Sequence, residues 1–286
     1  MKILNTFYHS LKKQHTIYIE NDSNFLTALK EIHKKKEICI DTEFTWRKTY
    51  FPRLSLIQIG IDDKLFIIDA LKLNNFDELN NIFHDKNIIK VFHSSRGDIS
   101  VLKNSIGASF HNIFDTQIAH KLIYRISDQI SYKKLVDFYF YKTLSKSQTN
   151  SDWEKRPLSK EQIQYAAEDI KYLLNLKSIQ LKRLKNKRLI QDLKIICEKE
   201  ILLAEQDFSI SRLERLRKKQ KNISKEECDI FIWRENRAKE RNVPPNNIFK
   251  DKYLRKIREL IQSKKIKELD WIIEDEDDRK FFLSNF

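Results

Sequence analysis

Apolar positions in the first part of the chain come in short runs divided by polar turns. Residues 16–19 (TIYI) read as a short strand, after which Asp22 or Ser23 is placed to cap a helix with Phe25, Leu26, Leu29 and Ile32 at helical spacing. Runs of strand length follow at 37–41 (EICID), 54–61 (LSLIQIGI) and 64–70 (KLFIIDA), the last two joined through Asp62-Asp63 as a tight hairpin. A helix near 76–83 leads to a fourth such run at 88–93 (IIKVFH), another helix opens near Gly97–Asp98, and 112–116 reads as the fifth. Three runs in meander, then runs alternating with helices, predict an α/β fold: a mixed five-stranded sheet covered by helices on both faces. From Asp115 onward the pattern is mainly helical, with 160–189 reading as one long helix that turns basic at its end. Beyond about residue 205 no strand-like alternation appears, and a helix around 230–241 must stop at Val243-Pro244-Pro245. The expected division is 1–205 and 206–286.

Composition narrows the class. With 41% hydrophobic and 11% aromatic residues the chain can build a core, and 286 residues exceed one ordinary domain. The formal charge of +14, from 55 Lys+Arg against 41 Asp+Glu, favours polyanionic partners, nucleic acid above all, although a generally basic soluble surface has the same sum. Cys39, Cys197 and Cys228 form neither a disulfide framework nor a CxxC metal knot, which fits reduced thiols in a cytoplasmic protein. The first residues lack the apolar run of a signal peptide, and no apolar stretch reaches membrane-spanning length, so no membrane association is expected.

The candidate chemistry lies in four acids and a tyrosine. Asp41 and Glu43, two residues apart at the end of an apolar strand, place their carboxylates on one face. Such a pair needs a proton or a cation, and hard divalent ions such as Mg²⁺ or Mn²⁺ suit an all-oxygen site; a solvated pair at a strand exit fits the spacing as well. Asp98 opens a helix after a strand, where the helix dipole by itself favours an acid. Tyr165 and Asp169 share a helix face at i, i+4, which by itself is an ordinary surface pair; Glu168 points elsewhere.

Taken in order, D-x-E on a strand, Asp at a strand-to-helix junction and Y-x3-D on a late helix resemble the tyrosine-bearing branch of the DEDD exonuclease superfamily. The flanking stretches DTEF…TYFPRLSLIQ (41–58), VFHSSRGDISVL (91–102), FDTQIA (114–119), KSQTNSDWEKRPLS (146–159) and YAAEDIKYLL (165–174) are similar to ribonuclease D. The resemblance implies an RNase H-like domain with catalytic Asp41, Glu43, Asp98, Tyr165 and Asp169. It places one divalent ion on Asp41, Glu43 and Asp169 and a second between Asp41 and Asp98, with Tyr165 as a neutral positioner of the attacking water. Four further residues are candidate nucleic-acid contacts, three of them with a bland alternative: Phe44 stacks on a base or fills core, His93 touches substrate or is structural, Lys146 meets a phosphate, and Arg156 meets a phosphate or locks its segment in an ion pair. Where the family commonly has an arginine two residues after the DTEF phenylalanine, this chain has Trp46, with Arg47 one place later.

Residues 231–258 (FIWRENRAKERNVPPNNIFKDKYLRKIR) resemble the HRDC domain, a small helical bundle that helps bind RNA, here through Arg234, Arg237, Lys239 and Arg241 unless these form a solvated helix face. There is room for one such domain where many relatives carry two, and an acidic run, 274–278, stands near its end. The implied function is a 3′→5′ exoribonuclease acting on tRNA precursors and other small RNAs with free 3′ ends, as a monomer, with nucleoside 5′-monophosphates as products. A 3′→5′ DNA exonuclease and a catalytically silent RNA-binding module are the alternatives; the HRDC-like tail favours RNA over the first, and the clustered acids oppose the second.

Overall fold

The apolar runs pair into one mixed sheet. In the computed structural model, which describes residues 14–46, 48–145, 148, 151–184, 187–220 and 222–286, its strands are β1 (His15–Ile19), β2 (Glu37–Thr45), β3 (Arg53–Gly60), β4 (Lys64–Asp69), β5 (Ile89–Phe92) and β6 (Ile113–Asp115). Their order is β1-β4-β3-β2-β5-β6, with β3 and β4 antiparallel and β1/β4, β2/β5 and β5/β6 parallel. Among the described residues the sheet thus has six strands, where the sequence reading gave five. The short leading strand joins as an edge, in register with β4 from His15↔Lys64 to Ile19↔Ile68. Ile19 buries itself in the core, and the Tyr18 hydroxyl donates to the buried carboxylate of Asp69 at 2.5 Å, so this strand is fixed by packing as well as by its ladder.

Helices cover the sheet: α1 (Asp22–Ile32), α2 (Asp77–His84), α3 (Arg96–Ile106), α4 (Thr116–Tyr124), α5 (Tyr132–Phe140), α6 (Lys160–Lys171), α7 (Leu173–Arg183) and α8 (Lys187–Glu205). The cap of α1 is Asn21, one residue earlier than predicted; its side chain accepts from the Asn24 N–H at 3.0 Å, leaving Asp22 in the first turn, where the helix dipole favours an acid. α6 starts on a full capping box, Ser159 with Gln162.

The single long helix predicted over 160–189 is instead broken at Tyr172. A side chain from α5 occupies the break. The Tyr132 hydroxyl donates to Glu168 O and accepts from the Tyr172 N–H, both at 3.1 Å, and so stands between the two groups that would otherwise close a helical turn. A second departure from helical geometry comes at Leu184, whose ψ is 60°.

Gly60, at the end of β3, allows the sheet and α6 to approach. A Cβ there would stand 2.5 Å from Cys39 Sγ, 3.2 Å from a Leu65 methyl and 3.4 Å from Ile170 Cδ1. The Cys39 thiol lies 3.3 Å from Ile170 O and 3.5 Å from Gly60 O, and can donate to either carbonyl. Gly60→Ala is expected to destabilise the protein by about 1–3 kcal/mol through overpacking, measured by urea unfolding. Adding Cys39→Ala should recover part of the loss; no recovery would mean that Cys39 is not the atom displaced.

The helical remainder forms a second unit, Trp46–Arg53 with Gln206–Phe286, while the first comprises the residues up to Thr45 together with Leu54–Glu205. The linear division into 1–205 and 206–286 did not contain this excursion of the β2–β3 connection. Its reason is visible inside the second unit. Tyr50 is 1% exposed, within a core of Phe231, Trp233, Ile257, Ile273 and Phe282, under the Arg212 guanidinium (4.6 Å to the ring centre) and 3.3 Å from the Glu235 carboxylate. The main helices here are α9 (Phe208–Lys219), α10 (Lys225–Glu240), α11 (Leu254–Gln262) and α12 (Glu276–Leu283).

The four basic residues of α10 and its end, read above as RNA contacts or a solvated face, are engaged with acids. Arg234 is buried and pairs with Glu235 (3.1 Å) and Asp251 (2.7 Å); Arg237 pairs with Asp278 (2.6 Å) and Lys239 with Asp207 (2.8 Å). Arg241 pairs with Asp275 at 3.2 Å and with Asp278. The acidic run therefore has a structural use: Asp275 also caps α12, accepting from the Asp278 N–H at 2.9 Å.

Candidate active site

The acid-bearing elements meet where β2 ends. Asp41 and Glu43 stand on its last turns of pleat, and between them Thr42 turns to the other face and donates to Asp98 at 2.5 Å. Asp98 is 8% exposed in the first turn of α3. The turn leading into that helix contains Ser94 at φ 62°, a backbone conformation uncommon for a residue with a side chain. Asp115, at the end of β6, holds the turn: its carboxylate accepts from the N–H groups of Ser94 (3.1 Å) and Ser95 (2.7 Å), and also from Gln117 N–H (2.8 Å) at the start of α4. On α6 the Tyr165 hydroxyl is hydrogen-bonded to Asp169, and the ammonium of Lys133 sits 5.0 Å from the centre of the Tyr165 ring.

Asp41, Tyr165 and Asp169 line one cavity of about 470 Å³ together with His93, Ser131, Tyr132, Lys133 and Leu173. Asp98 and Glu43 are not in its wall but lie within electrostatic reach of it. Burial raises the Asp41 pKa far above the usual carboxylate range, and the charges of Asp98, Asp169 and Glu43 add to the effect. Glu43 is pushed up to about 9 by burial and by Asp169 and Asp98. Asp98 is pushed up to about 7, by burial against the opposing Thr42 hydrogen bond, and Asp169 to about 6, by burial against the opposing charge of Lys133. Among the described residues no group of three or more His, Cys, Asp or Glu side chains is arranged as a ready metal cage, so the four acids feel one another without their oxygens meeting at a point. Their donor set nonetheless fits a hard divalent cation: oxygen ligands only, withdrawn from water, and carrying like charges that a cation compensates.

These shifts set a pH dependence. An acid whose pKa is raised by folding holds its proton in the native state where the unfolded chain has lost it, so stability falls as pH rises through that interval. For Glu43, Asp98 and Asp169 the interval runs from about 4 to about 9. The metal-free protein is expected to melt at progressively lower temperature from pH 5 to pH 9, losing up to about 1.4 kcal/mol per pH unit for each proton still held. Melting curves in chelator across that range test this; a flat or rising profile would contradict it.

Of the weaker candidates, His93 stands in the wall of the cavity. Both His93 ring nitrogens are engaged by protein, Nδ1 with Thr116 Oγ1 and Nε2 with Ile130 O, each at 3.0 Å, and burial lowers its pKa. Its hydrogen bonds are those of the structural alternative weighed above. Arg156 is an ion-pair lock: its Nε and Nη2 hold the two oxygens of fully buried Asp69 at 2.6 and 2.7 Å, and Nη1 donates to Trp153 O at 2.6 Å. Phe44 is half-buried against the core of the first unit. Lys146 lies outside the described residues. Sequence reasoning passed over Thr42, Asp115, Tyr132 and Lys133, whose contacts to the site are tertiary and leave no local signature; the DTE and FDT triplets containing Thr42 and Asp115 were the available hint.

Comparison with known proteins gives this geometry a family. The sequence matches the 3′-5′ exonuclease family over residues 16–185 and the HRDC domain over residues 228–270. Among curated relatives, the ribonuclease D of Desulfotalea psychrophila is 33% identical over 235 residues, covering 78% of this chain and 61% of the relative. That of Zymomonas mobilis is 31% identical over 240 residues, covering 82% and 61%. The chain thus spans about three fifths of the length of these relatives. The crystal structure of Escherichia coli RNase D, described as an exoribonuclease involved in structured RNA processing, shares the fold with a TM-score of 0.75 at 24% identity over 84% of this chain and 65% of that one. Brucella melitensis NrnC superposes with a TM-score of 0.57 at 26% identity, covering 68% of this chain and 93% of that one. The chain belongs to the 3′-5′ exonuclease family, and the curated relatives it resembles are ribonuclease D proteins.

Proposed function

We propose that this chain is a 3′→5′ exoribonuclease that hydrolyses phosphodiester bonds at RNA 3′ ends and releases nucleoside 5′-monophosphates, with tRNA precursors and other small RNAs as substrates. The observation that carries this reading is the gathering of four withdrawn, mutually repelling carboxylates and one tyrosine at the end of β2, with Asp41, Tyr165 and Asp169 in the wall of one cavity. A protein that only binds RNA gains nothing from that repulsion.

In this proposal Asp41, Glu43 and Asp169 hold one divalent cation and Asp41 with Asp98 a second, Mg²⁺ or Mn²⁺. When bound, the ions supply Lewis-acid activation of the phosphate and of the attacking water. The protein's own residues do the positioning. Thr42 fixes the Asp98 carboxylate, and Asp115 fixes the turn that presents it. Tyr165 orients water by hydrogen bonding while its bond to Asp169 holds the hydroxyl in place. Lys133 brings a positive charge to the cavity wall, favourable to an incoming phosphate. Residues 1–205 carry the chemistry and 206–286 assist in holding RNA; because Arg234, Arg237, Lys239 and Arg241 are paired with acids, that assistance falls to other surfaces of the second unit.

The test is incubation with a 5′-labelled RNA bearing a single-stranded 3′ extension, in Mg²⁺ or Mn²⁺, beside a matched DNA and the Asp41→Ala variant. Metal-dependent shortening of the RNA from its 3′ end, absent in the variant, is the expected result. Equal or faster loss of the DNA would replace the proposal with a DNA exonuclease, and binding without shortening would leave an RNA-binding module.

A further inference from the structure

We infer that Tyr132 is a positioning residue of the site: its hydroxyl holds open the break between α6 and α7 and thereby sets where Asp169 stands. This rests on the reading of Asp169 as a ligand of the catalytic cation.

Asp169 lies in the last turn before the break. In an unbroken helix the Tyr172 N–H would donate to Glu168 O. Here the Tyr132 hydroxyl stands between these two groups, donating to the carbonyl and accepting from the N–H, each at 3.1 Å. Tyr172 stands at the junction at φ −104° and ψ −4°, its N–H also directed at Ile170 O, and α7 restarts at Leu173, a residue of the cavity wall. On the other side of Asp169 the carbonyl of Ile170 faces the Cys39 thiol at 3.3 Å, from the strand that carries Asp41. The two peptide carbonyls that flank Asp169, those of residues 168 and 170, are therefore each met by a side chain from another element. Tyr132 itself is buried, 9% exposed, with its hydroxyl hydrogen-bonded on both sides, and opens the helix whose next residue is Lys133.

The arrangement is economical in hydrogen bonds, and this makes the inference testable. Removing the hydroxyl by Tyr132→Phe keeps the ring and leaves Glu168 O and the Tyr172 N–H free to bond each other. The expected consequence is a straightened helix with little change in thermal stability, but a displaced Asp169 carboxylate.

The experiment compares wild type with Tyr132→Phe in three measurements. Calorimetric titration of the metal-free protein with Mn²⁺ is expected to show affinity weakened about 10-fold or more, the usual effect of losing a residue that orients a ligand. Amide exchange of Tyr172 in the metal-free protein is expected to change, because the Tyr132 hydroxyl, which it uses as an acceptor beside Ile170 O, is replaced by Glu168 O. On an RNA substrate, kcat is expected to fall about 10-fold or more with KM nearly unchanged, since a misplaced ligand costs rate rather than substrate contact. Tyr139→Phe, which likewise removes one hydroxyl from α5 but contacts His120 (3.2 Å) rather than the break, is the control and should leave all three unaltered. Unchanged Mn²⁺ affinity and kcat in Tyr132→Phe, with the wild type active, would overturn the inference. A wild type that neither binds Mn²⁺ nor shortens RNA would instead overturn the reading on which it rests.

Discussion

Asp41→Asn is expected to abolish RNA shortening while making the metal-free protein more stable at pH 8. Asp41 is enclosed, and its charge is opposed by those of Asp98, Asp169 and Glu43. Asparagine keeps the shape and has no proton to hold, so the cost of keeping Asp41 protonated at pH 8, where the unfolded chain has ionised it, is lifted and folding gains about 1–2 kcal/mol, the usual scale for relieving an unfavourable functional site. The same change removes the carboxylate shared by both proposed cation positions, and a loss of rate of about 10³-fold or more follows if the cations stabilise the charge of the transition state. Urea unfolding in chelator and a single-turnover assay, on the same preparation, read the two effects. The sign of the stability change separates a functional acid from a structural one. An acid placed for packing or capping, such as Asp115 with its backbone donors, should lose stability on the equivalent change to Asn.

Arg156→Ala carries the largest expected loss of stability, about 3–5 kcal/mol, because it leaves the fully buried carboxylate of Asp69 without its bidentate partner. The Tyr18 hydroxyl remains on Asp69 but cannot neutralise it. Arg156→Met combined with Asp69→Leu removes both charges and should recover most of the loss, since a buried pair is often no better than apolar groups of similar volume. Chemical denaturation of the single and double variants measures this. If Arg156 were instead a phosphate contact, the single variant would keep its stability and show a raised KM for RNA.

How far the sequence reveals this molecule depends on whether the information is local. Strand runs, the hairpin at Asp62-Asp63 and the ordered acids were legible because periodicity, turn residues and motif spacing all lie within a few positions of one another. The break at Tyr172 was not, because the hydroxyl that bridges it comes from Tyr132, in another helix. Leu, Lys and Ile around that point have no reason of their own to leave the helix. The excursion of 46–53 was hidden for a similar reason: Tyr50 is buried by residues beyond 206, and nothing near it in sequence signals this. The basic run of α10 misled in the opposite direction. Charges that look solvated along the chain are matched by Asp207, Asp251, Asp275 and Asp278, each of which sequence spacing leaves far away. Two of these partners, Asp275 and Asp278, belong to the acidic run at 274–278.

The central claim is that the acids at the end of β2 form a cation site, and proton release on metal binding tests it most directly. With Glu43 at about 9 and Asp98 at about 7, protons are held near neutral pH that a divalent cation must displace. Titrating the metal-free protein with Mn²⁺ at pH 7, in buffers of different ionisation enthalpy, is predicted to show protons released on binding and fewer released by Glu43→Gln. Binding with no buffer dependence, or no binding by the wild type, would contradict the account.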